Sequence, residues 1–282
     1  MIYLLWAVLY SVGVIHLLKL ANQRGIPRFP LFAVNYAVAF GAGLIEYEPT
    51  LRFSEFPAGY WLLAVSLGVA FVVAFFALSK AVHEAGPSLA TTVSRLAIAI
   101  PVAASILLFG EEVSLAQGAG LVLTLLLLPF ASPELPGRSM RMGRAELNAL
   151  LWLSLLFLLF GFNDVVFKLR EELYGALDKG AFTTILFGTA LLLSALGTIR
   201  RKEAITVEIA SVGLFLGVVN YFSAFWIIRA LQVLPGFQVY PINSIGIIVI
   251  ATLSSAFIWR ERPRGHHYLF YVGASGAILL LS

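Results

Sequence analysis

Arg95 interrupts an apolar run, in Ala90-Thr91-Thr92-Val93-Ser94-Arg95-Leu96. A guanidinium inside a bilayer costs a few kcal/mol unless it faces a partner or a polar space. Ser88, Thr91 and Arg95 fall at i, i+3 and i+7, which puts them on one face of a helix with Thr92 and Ser94 beside them. Such a stripe is either a wall that meets an anionic group of a substrate, such as a carboxylate, or half of an interhelical ion pair that locks the helices. A second polar interruption runs Gln238-Val239-Tyr240-Pro241-Ile242-Asn243-Ser244, so Tyr240, Asn243 and Ser244 are candidates for a facing wall. Asp164, in Gly161-Phe162-Asn163-Asp164, is the clearest buried carboxylate, suited to taking up protons or attracting a cation. Lys168 stands four residues on, and a local i, i+4 ion pair is the simpler account of that acid. Asn163 suits a cavity wall under either account. Asn220 and Tyr221, Asn35 and Tyr36, and Tyr10 and His16 are further polar intrusions, and groups of this kind often serve as interhelical hydrogen-bond glue of roughly 0.6–2 kcal/mol each.

Several chemistries have no residues to carry them. The chain contains no cysteine, which removes a thiolate nucleophile, a disulfide framework and Cys-ligated metals. There is no phosphate-binding Gly-rich loop, no His-Glu-x-x-His and no Gly-x-Ser-x-Gly. His16 has no second ligand at metal spacing in its segment. We therefore expect a protein that is not an enzyme, with no catalytic residues, no metal and no cofactor.

The segments that must position these residues are apolar almost throughout. The 282 residues are 60% hydrophobic and 12% charged, against about 25% charged in a soluble globular chain. Mean hydropathy is +0.92. Too little polar surface is left to face water, so the lipid bilayer is the expected solvent, and the small net charge of +4 does not outline a nucleic-acid footprint. Ten apolar segments fall at 3–20, 31–45, 58–78, 88–109 and 114–130, then 147–167, 182–196, 209–230, 237–259 and 268–281. Helices of about 17–25 residues are the expected spanning unit, because the runs lack the alternation of a barrel strand. The first lacks the basic leader of a signal peptide and reads as a retained span. Trp61, Trp152, Trp259 and Tyr268 lie at segment ends, where amphipathic rings favour the headgroup layer, whereas Trp226 lies deeper. The fourth and ninth segments open in register with Gly86-Pro87 and Pro235-Gly236, and each holds an internal proline, Pro101 and Pro241, although these two do not align. Spans interrupted at matching places in two halves point to a carrier's site.

Those halves are related by an offset of 149 residues. Leu67-Gly68-Val69 recurs as Leu216-Gly217-Val218, Lys19 as Lys168, Lys80-Ala81 as Arg229-Ala230, Ser105 as Ser254, and Glu112 as Glu261. Rare charged residues in one ungapped register mark a duplication: a first five-helix repeat at 1–133, an inter-repeat loop at 134–146 and a second five-helix repeat at 147–282. An odd number of spans per repeat inverts the second copy, the arrangement associated with alternating access around a midplane site. Thirteen basic residues fall in the loops after spans one, three, five, seven and nine, and five on the other side, which by the positive-inside rule puts both termini outside the cytoplasm. Glu112 and Glu261 sit at matching helix junctions and suit capping or clamping between helices.

Phe109-Gly110-Glu111-Glu112, followed by Gly118 and Gly120, resembles the Gly-Glu…Gly pattern that closes each repeat of the EamA-type drug/metabolite transporter superfamily. Ile258-Trp259-Arg260-Glu261, followed by Gly273 and Gly276, resembles its second copy. The resemblance covers the whole chain and implies an export or exchange carrier for small metabolites, with a central cavity lined by spans one, three, four, six, eight and nine. Two features depart from the pattern. Members are usually N-in and C-in, against the loop charges here, and small relatives that exchange drugs for protons use an acid in span one, where this chain has none.

The fold class expected is an all-α integral membrane protein of ten transmembrane helices in a 5+5 inverted repeat, in a plasma or inner membrane. The function expected is transport of small organic metabolites by alternating access. Its substrate site would lie at the midplane between the repeats, from Thr91, Ser94, Arg95, Asn163, Asp164, Asn220, Tyr240, Asn243 and Ser244. Its partners would be a small-molecule substrate, the lipid bilayer and a coupling ion or counter-substrate. A non-transporting scaffold or accessory subunit and a flippase for lipid-linked intermediates are the alternatives.

Overall fold

The computed structural model describes every residue except 49–51, 129–143, 261–264 and 282, and at 87, 88, 144–146, 265–269 and 271 it describes the backbone alone. The described residues form helices α1 (Ile2–Gln23), α2 (Arg28–Glu46), α3 (Ala58–Ala85), α4 (Pro87–Leu96), α5 (Ala99–Leu107), α6 (Leu115–Leu127), α7 (Arg144–Tyr174), α8 (Lys179–Arg201), α9 (Val207–Leu231), α10 (Gly236–Ile258) and α11 (Gly265–Leu281), with a 3-10 turn at Phe53–Glu55 and no strand. Among the described residues eight helical segments are long and apolar enough to cross a membrane, the α4–α5 stretch Leu89–Leu107 counting as one of them. The chain is a multi-pass membrane protein. Two shorter apolar helices, Leu115–Leu127 and Val272–Leu281, stand where the fifth and tenth spans are expected. The 13 residues of α6 reach about 20 Å at 1.5 Å per residue, short of a hydrocarbon core of about 30 Å.

Large apolar side chains point outward, Leu115 at 97% and Val207 at 85% exposure among them, as lipid-facing positions do. Others, such as Tyr60, Leu156, Phe182 and Phe270, are buried, together with many alanines such as Ala7, Ala39, Ala64, Ala81 and Ala90, none of which has measurable exposure. Small residues let helix backbones approach closely where no hydrophobic gain drives them together.

The fourth span is broken. Pro101 offers no N–H to the carbonyl of Ala97, and its ring crowds that carbonyl, so α4 ends at Leu96 and α5 restarts at Ala99. Tight i→i+3 bonds bridge the break, from Ile98 N–H to the Arg95 carbonyl at 3.3 Å and from Ile100 N–H to the Ala97 carbonyl at 3.0 Å. Arg95 therefore lies in the last turn of a half-helix. Pro241 lies inside α10, which stays continuous.

Two compact units emerge from the packing, each built from both halves of the sequence: Met1–Val72 with Leu169–Gln232, and Val73–Lys168 with Val233–Ser282. In the first, α2 packs on α8 and α9, and α1 on α9. Glycines make these contacts possible. A Cβ at Gly68 would stand 2.5 Å from the Leu186 carbonyl oxygen, and one at Gly217 would stand 2.6 Å from that of Asn35. In the second unit α6 packs on α11 and α5 on α10. There the end of α3, α4 and α7 share a core of Ala81, Ala90, Leu153 and Leu156.

Candidate functional site

The second unit holds two polar layers, and the outer one is a clamp. Glu111 lies in the loop between α5 and α6. Its Oε1 stands 2.5 Å from the Nζ of Lys168, a side chain only 4% exposed. The same carboxylate accepts the first two amides of α10, from Gly236 N–H at 2.8 Å and Phe237 N–H at 3.0 Å. Those amides are among the donors that a helix start leaves without an intrahelical acceptor, and a negative group suits the positive end of the helix dipole. The close seat depends on Gly236, where a Cβ would stand 2.2 Å from the Ser105 hydroxyl.

This clamp corrects two expectations. Lys168 is bonded to Glu111, far off in sequence, and the cation whose field reaches Asp164 is Arg95. The junction role expected of Glu112 belongs to its neighbour Glu111, while Glu112 is exposed. Its repeat counterpart Glu261 and the first part of the inter-repeat loop, 134–143, lie outside the described residues.

Burial pushes the Glu111 carboxyl up, but the hydrogen bond from Lys168, the Gly236 and Phe237 amides and the Lys168 charge together hold it below the ordinary value. A carboxylate lowered in the folded state adds stability that is present above its unfolded pKa of about 4.3 and lost as pH falls through the folded value. Thermal unfolding of the detergent-solubilised protein should show the Glu111→Gln variant converging on wild type as pH is lowered from 6 toward 3. A difference in Tm constant across that range would contradict this origin.

The inner layer gathers the chemistry. The Tyr240 hydroxyl donates to the Asp164 backbone carbonyl at 2.6 Å, tying α10 to α7. Arg95 and Asp164 act on one another electrostatically. The Nε of Arg95, the Oδ1 atoms of Asn163 and Asn243 and the Oγ of Ser244 are all buried without a hydrogen-bond partner. Buried polar groups in folded proteins are nearly always paired, so four such atoms on α4, α7 and α10 call for an explanation. Gly161 brings the halves of this layer together, since a Cβ there would stand 2.4 Å from the end of Ile100, just past the helix break.

The remaining candidates stand differently. Ser94 donates its hydroxyl to the Thr91 carbonyl at 2.8 Å, within α4, and Thr91 is exposed. Asn220 lies on α9 in the first unit, next to Tyr221, whose hydroxyl donates to Glu46. Ser105 and Glu111 entered the sequence reading only through the repeat and the Gly-Glu motif, without a role of their own, and Arg170, in the first unit, escaped it. Arg170 has no exposure and is bonded to Glu171 at 2.7 Å and to the Leu177 carbonyl at 2.5 Å, with its Nε unpaired. Its neighbourhood of charges near a helix end reads in sequence as an ordinary loop margin. Trp226 stacks with Tyr3 and Trp6 at ring distances of 5.7 and 6.3 Å, in keeping with a packing role. Among the described residues no three His, Asp or Glu side chains gather as a metal site would require.

No family model matches the chain. An uncharacterized protein of Haemophilus influenzae is similar to it, with 28% identity over 99% of this chain and 96% of the relative. A protein of known crystal structure shares the fold, with a TM-score of 0.75 at 17% identity over 98% of this chain and 96% of its own.

Proposed function

We propose that this protein is a secondary carrier of small organic metabolites, working by alternating access in a plasma or inner membrane. One observation carries the reading: polar atoms of Arg95, Asn163, Asn243 and Ser244, on spans four, six and nine, are buried without a hydrogen-bond partner, and the fourth span breaks just past Arg95. Groups held ready but unused by the fold are what a transient ligand needs. The residues come from spans four, six and nine, counted as ten in a 5+5 inverted repeat, so both sequence repeats contribute. The likeness of the Gly-Glu…Gly segments to EamA-type transporters points the same way. Under this reading Arg95, Asn163, Asp164, Asn243 and Ser244 touch the substrate, and Tyr240 holds Asp164 in place.

Flux into proteoliposomes across a metabolite panel tests the proposal. Arg95→Ala and Asn243→Ala should each lower transport at least about tenfold, the scale expected when a hydrogen bond involving a charged group, about 1.5–3 kcal/mol, is lost. Wild-type rates in both variants would sink the site. A scaffold or accessory subunit would show no stabilisation by any solute, whereas a carrier is stabilised by a ligand of its folded form.

A further inference from the structure

The end of the first unit where α1 and α8 finish and α2 and α9 begin carries the whole charge imbalance of the protein. Lys19, Arg24, Arg28, Arg200, Arg201 and Lys202 stand there against Glu203 and Glu208, a surplus of four that equals the net +4 of the chain. The two acids leave the α8 end unbalanced. Glu208 is spent on Arg24, in an exposed pair at 3.1 Å. Glu203 turns one carboxylate oxygen into the fold, where it is buried without a hydrogen-bond partner.

Helix packing gathers the remaining cations. α2 packs on α8, and a Cβ at Gly197 would collide with the Phe29 ring, so that ring is seated on the α8 backbone. The Arg201 guanidinium lies over the same ring, 4.7 Å from its centroid. Stacking occupies the flat face of a guanidinium and leaves its N–H edge for a phosphate. Arg28 precedes Phe29, Arg200 and Lys202 flank Arg201, and all four cations are exposed. Lys202 holds the left-handed C-cap of α8 at φ 54, a conformation ordinary for glycine and disfavoured for a residue with a side chain. A cation kept in such a conformation is more than a helix stop. Next to this cluster α8 turns apolar toward the lipid. Leu192, Leu196 and Ile199, at i, i+4 and i+7, are exposed, and Arg200 extends the same face.

Cations alone serve to orient a chain in the membrane. Cations at the head of an exposed apolar stripe also match a molecule that is anionic at one end and hydrocarbon beyond it. We infer that this end of the first unit binds an anionic glycerophospholipid. Its phosphate accepts from Arg201 and Lys202 within the field of Arg28 and Arg200, and an acyl chain lies along Leu192, Leu196 and Ile199. A free phosphate meets the cluster without the stripe, and a zwitterionic lipid brings its own cation against Arg201.

The test is thermal unfolding of the delipidated full chain in a neutral detergent, a readout that needs no known cargo. The protein is titrated with phosphatidylglycerol, phosphatidylcholine or soluble glycerol 3-phosphate. Phosphatidylglycerol should raise Tm with a half-effect at about tenfold lower mole fraction than phosphatidylcholine, as several Lys and Arg contacts near a membrane surface would give. Glycerol 3-phosphate should give no comparable rise. The triple variant Arg28→Gln/Arg201→Gln/Lys202→Gln should lose the difference between the lipids, whereas Lys80→Gln, a basic residue of α3 in the second unit, should keep it. Lys202→Gly separates binding from folding. It relieves the left-handed cap, so it should melt no lower than wild type without lipid and yet gain less from phosphatidylglycerol. Equal stabilisation by the two lipids, an undiminished preference in the triple variant or glycerol 3-phosphate matching the lipid would each overturn the inference. Should the triple variant fail to fold, Lys202→Gly decides in its place, and a full wild-type gain there overturns the inference as well.

Discussion

Replacing Glu111 by alanine lowers the thermal stability of the protein more than any other single change proposed here. The substitution removes the carboxylate that pairs with Lys168, a side chain 4% exposed, and strips the first two amides of α10 of their acceptor. Removing one member of a buried pair typically costs about 3–5 kcal/mol, because the remaining charge is desolvated and uncompensated. Lys168→Met is the milder change, since Glu111 keeps two amide donors after the ammonium is gone. Melting curves of the two single variants and the double variant in detergent close a cycle, and residues in such direct contact should couple by about 0.5–3 kcal/mol. A Glu111→Ala protein that melts with wild type would show that the loop carboxylate does not hold α10.

The second large effect is symmetrical. Gly68 of α3 lies against the α8 backbone at Leu186, and Gly217 of α9 lies against the α2 backbone at Asn35. In the repeat register α9 is the counterpart of α3 and α8 that of α2, so the two glycines make one contact twice. Alanine at either position brings a methyl within 2.5 or 2.6 Å of a carbonyl oxygen on a rigid helix, and the helices must part. Overpacking of this kind costs about 1–3 kcal/mol, and comparable losses of Tm are expected from the two sites. Gly41 on α2 is the control, because nothing stands within 4 Å of a Cβ there. Gly41→Ala should be neutral or stabilising, by up to the roughly 1 kcal/mol that alanine gains over glycine in a helix. Equal losses at all three positions would reduce the effect to something other than helix contact.

Much of this architecture is legible in the sequence because bilayers impose a coarse rule. Each apolar segment becomes a helix, since lipid offers backbone groups no other partner. The break in the fourth span follows from Pro101, whose chemistry is local. The Leu67-Gly68-Val69 and Leu216-Gly217-Val218 match turns out to mark a shared close contact. Partnerships across sequence are another matter. The nearest cation to Asp164 along the chain is Lys168, yet packing gives Lys168 to Glu111 and brings Arg95 into electrostatic reach of Asp164. Spacing along one helix reports what shares a face, and says nothing of which helix that face will meet. The composition of each compact unit, drawn from both halves, is hidden for the same reason.

The Glu111 clamp also bears on movement. Its carboxylate sits at the exit of α5 and grips the first turn of α10, so those two helix ends share a pivot. Arg95 lies before the break that begins this run, and Asn243 lies two turns along the helix that the pivot holds. A tilt of α10 would thereby be passed to α5. Such a motion would meet the fourth span at its break, where the i→i+3 hydrogen bonds of Ile98 and Ile100 join α4 to α5.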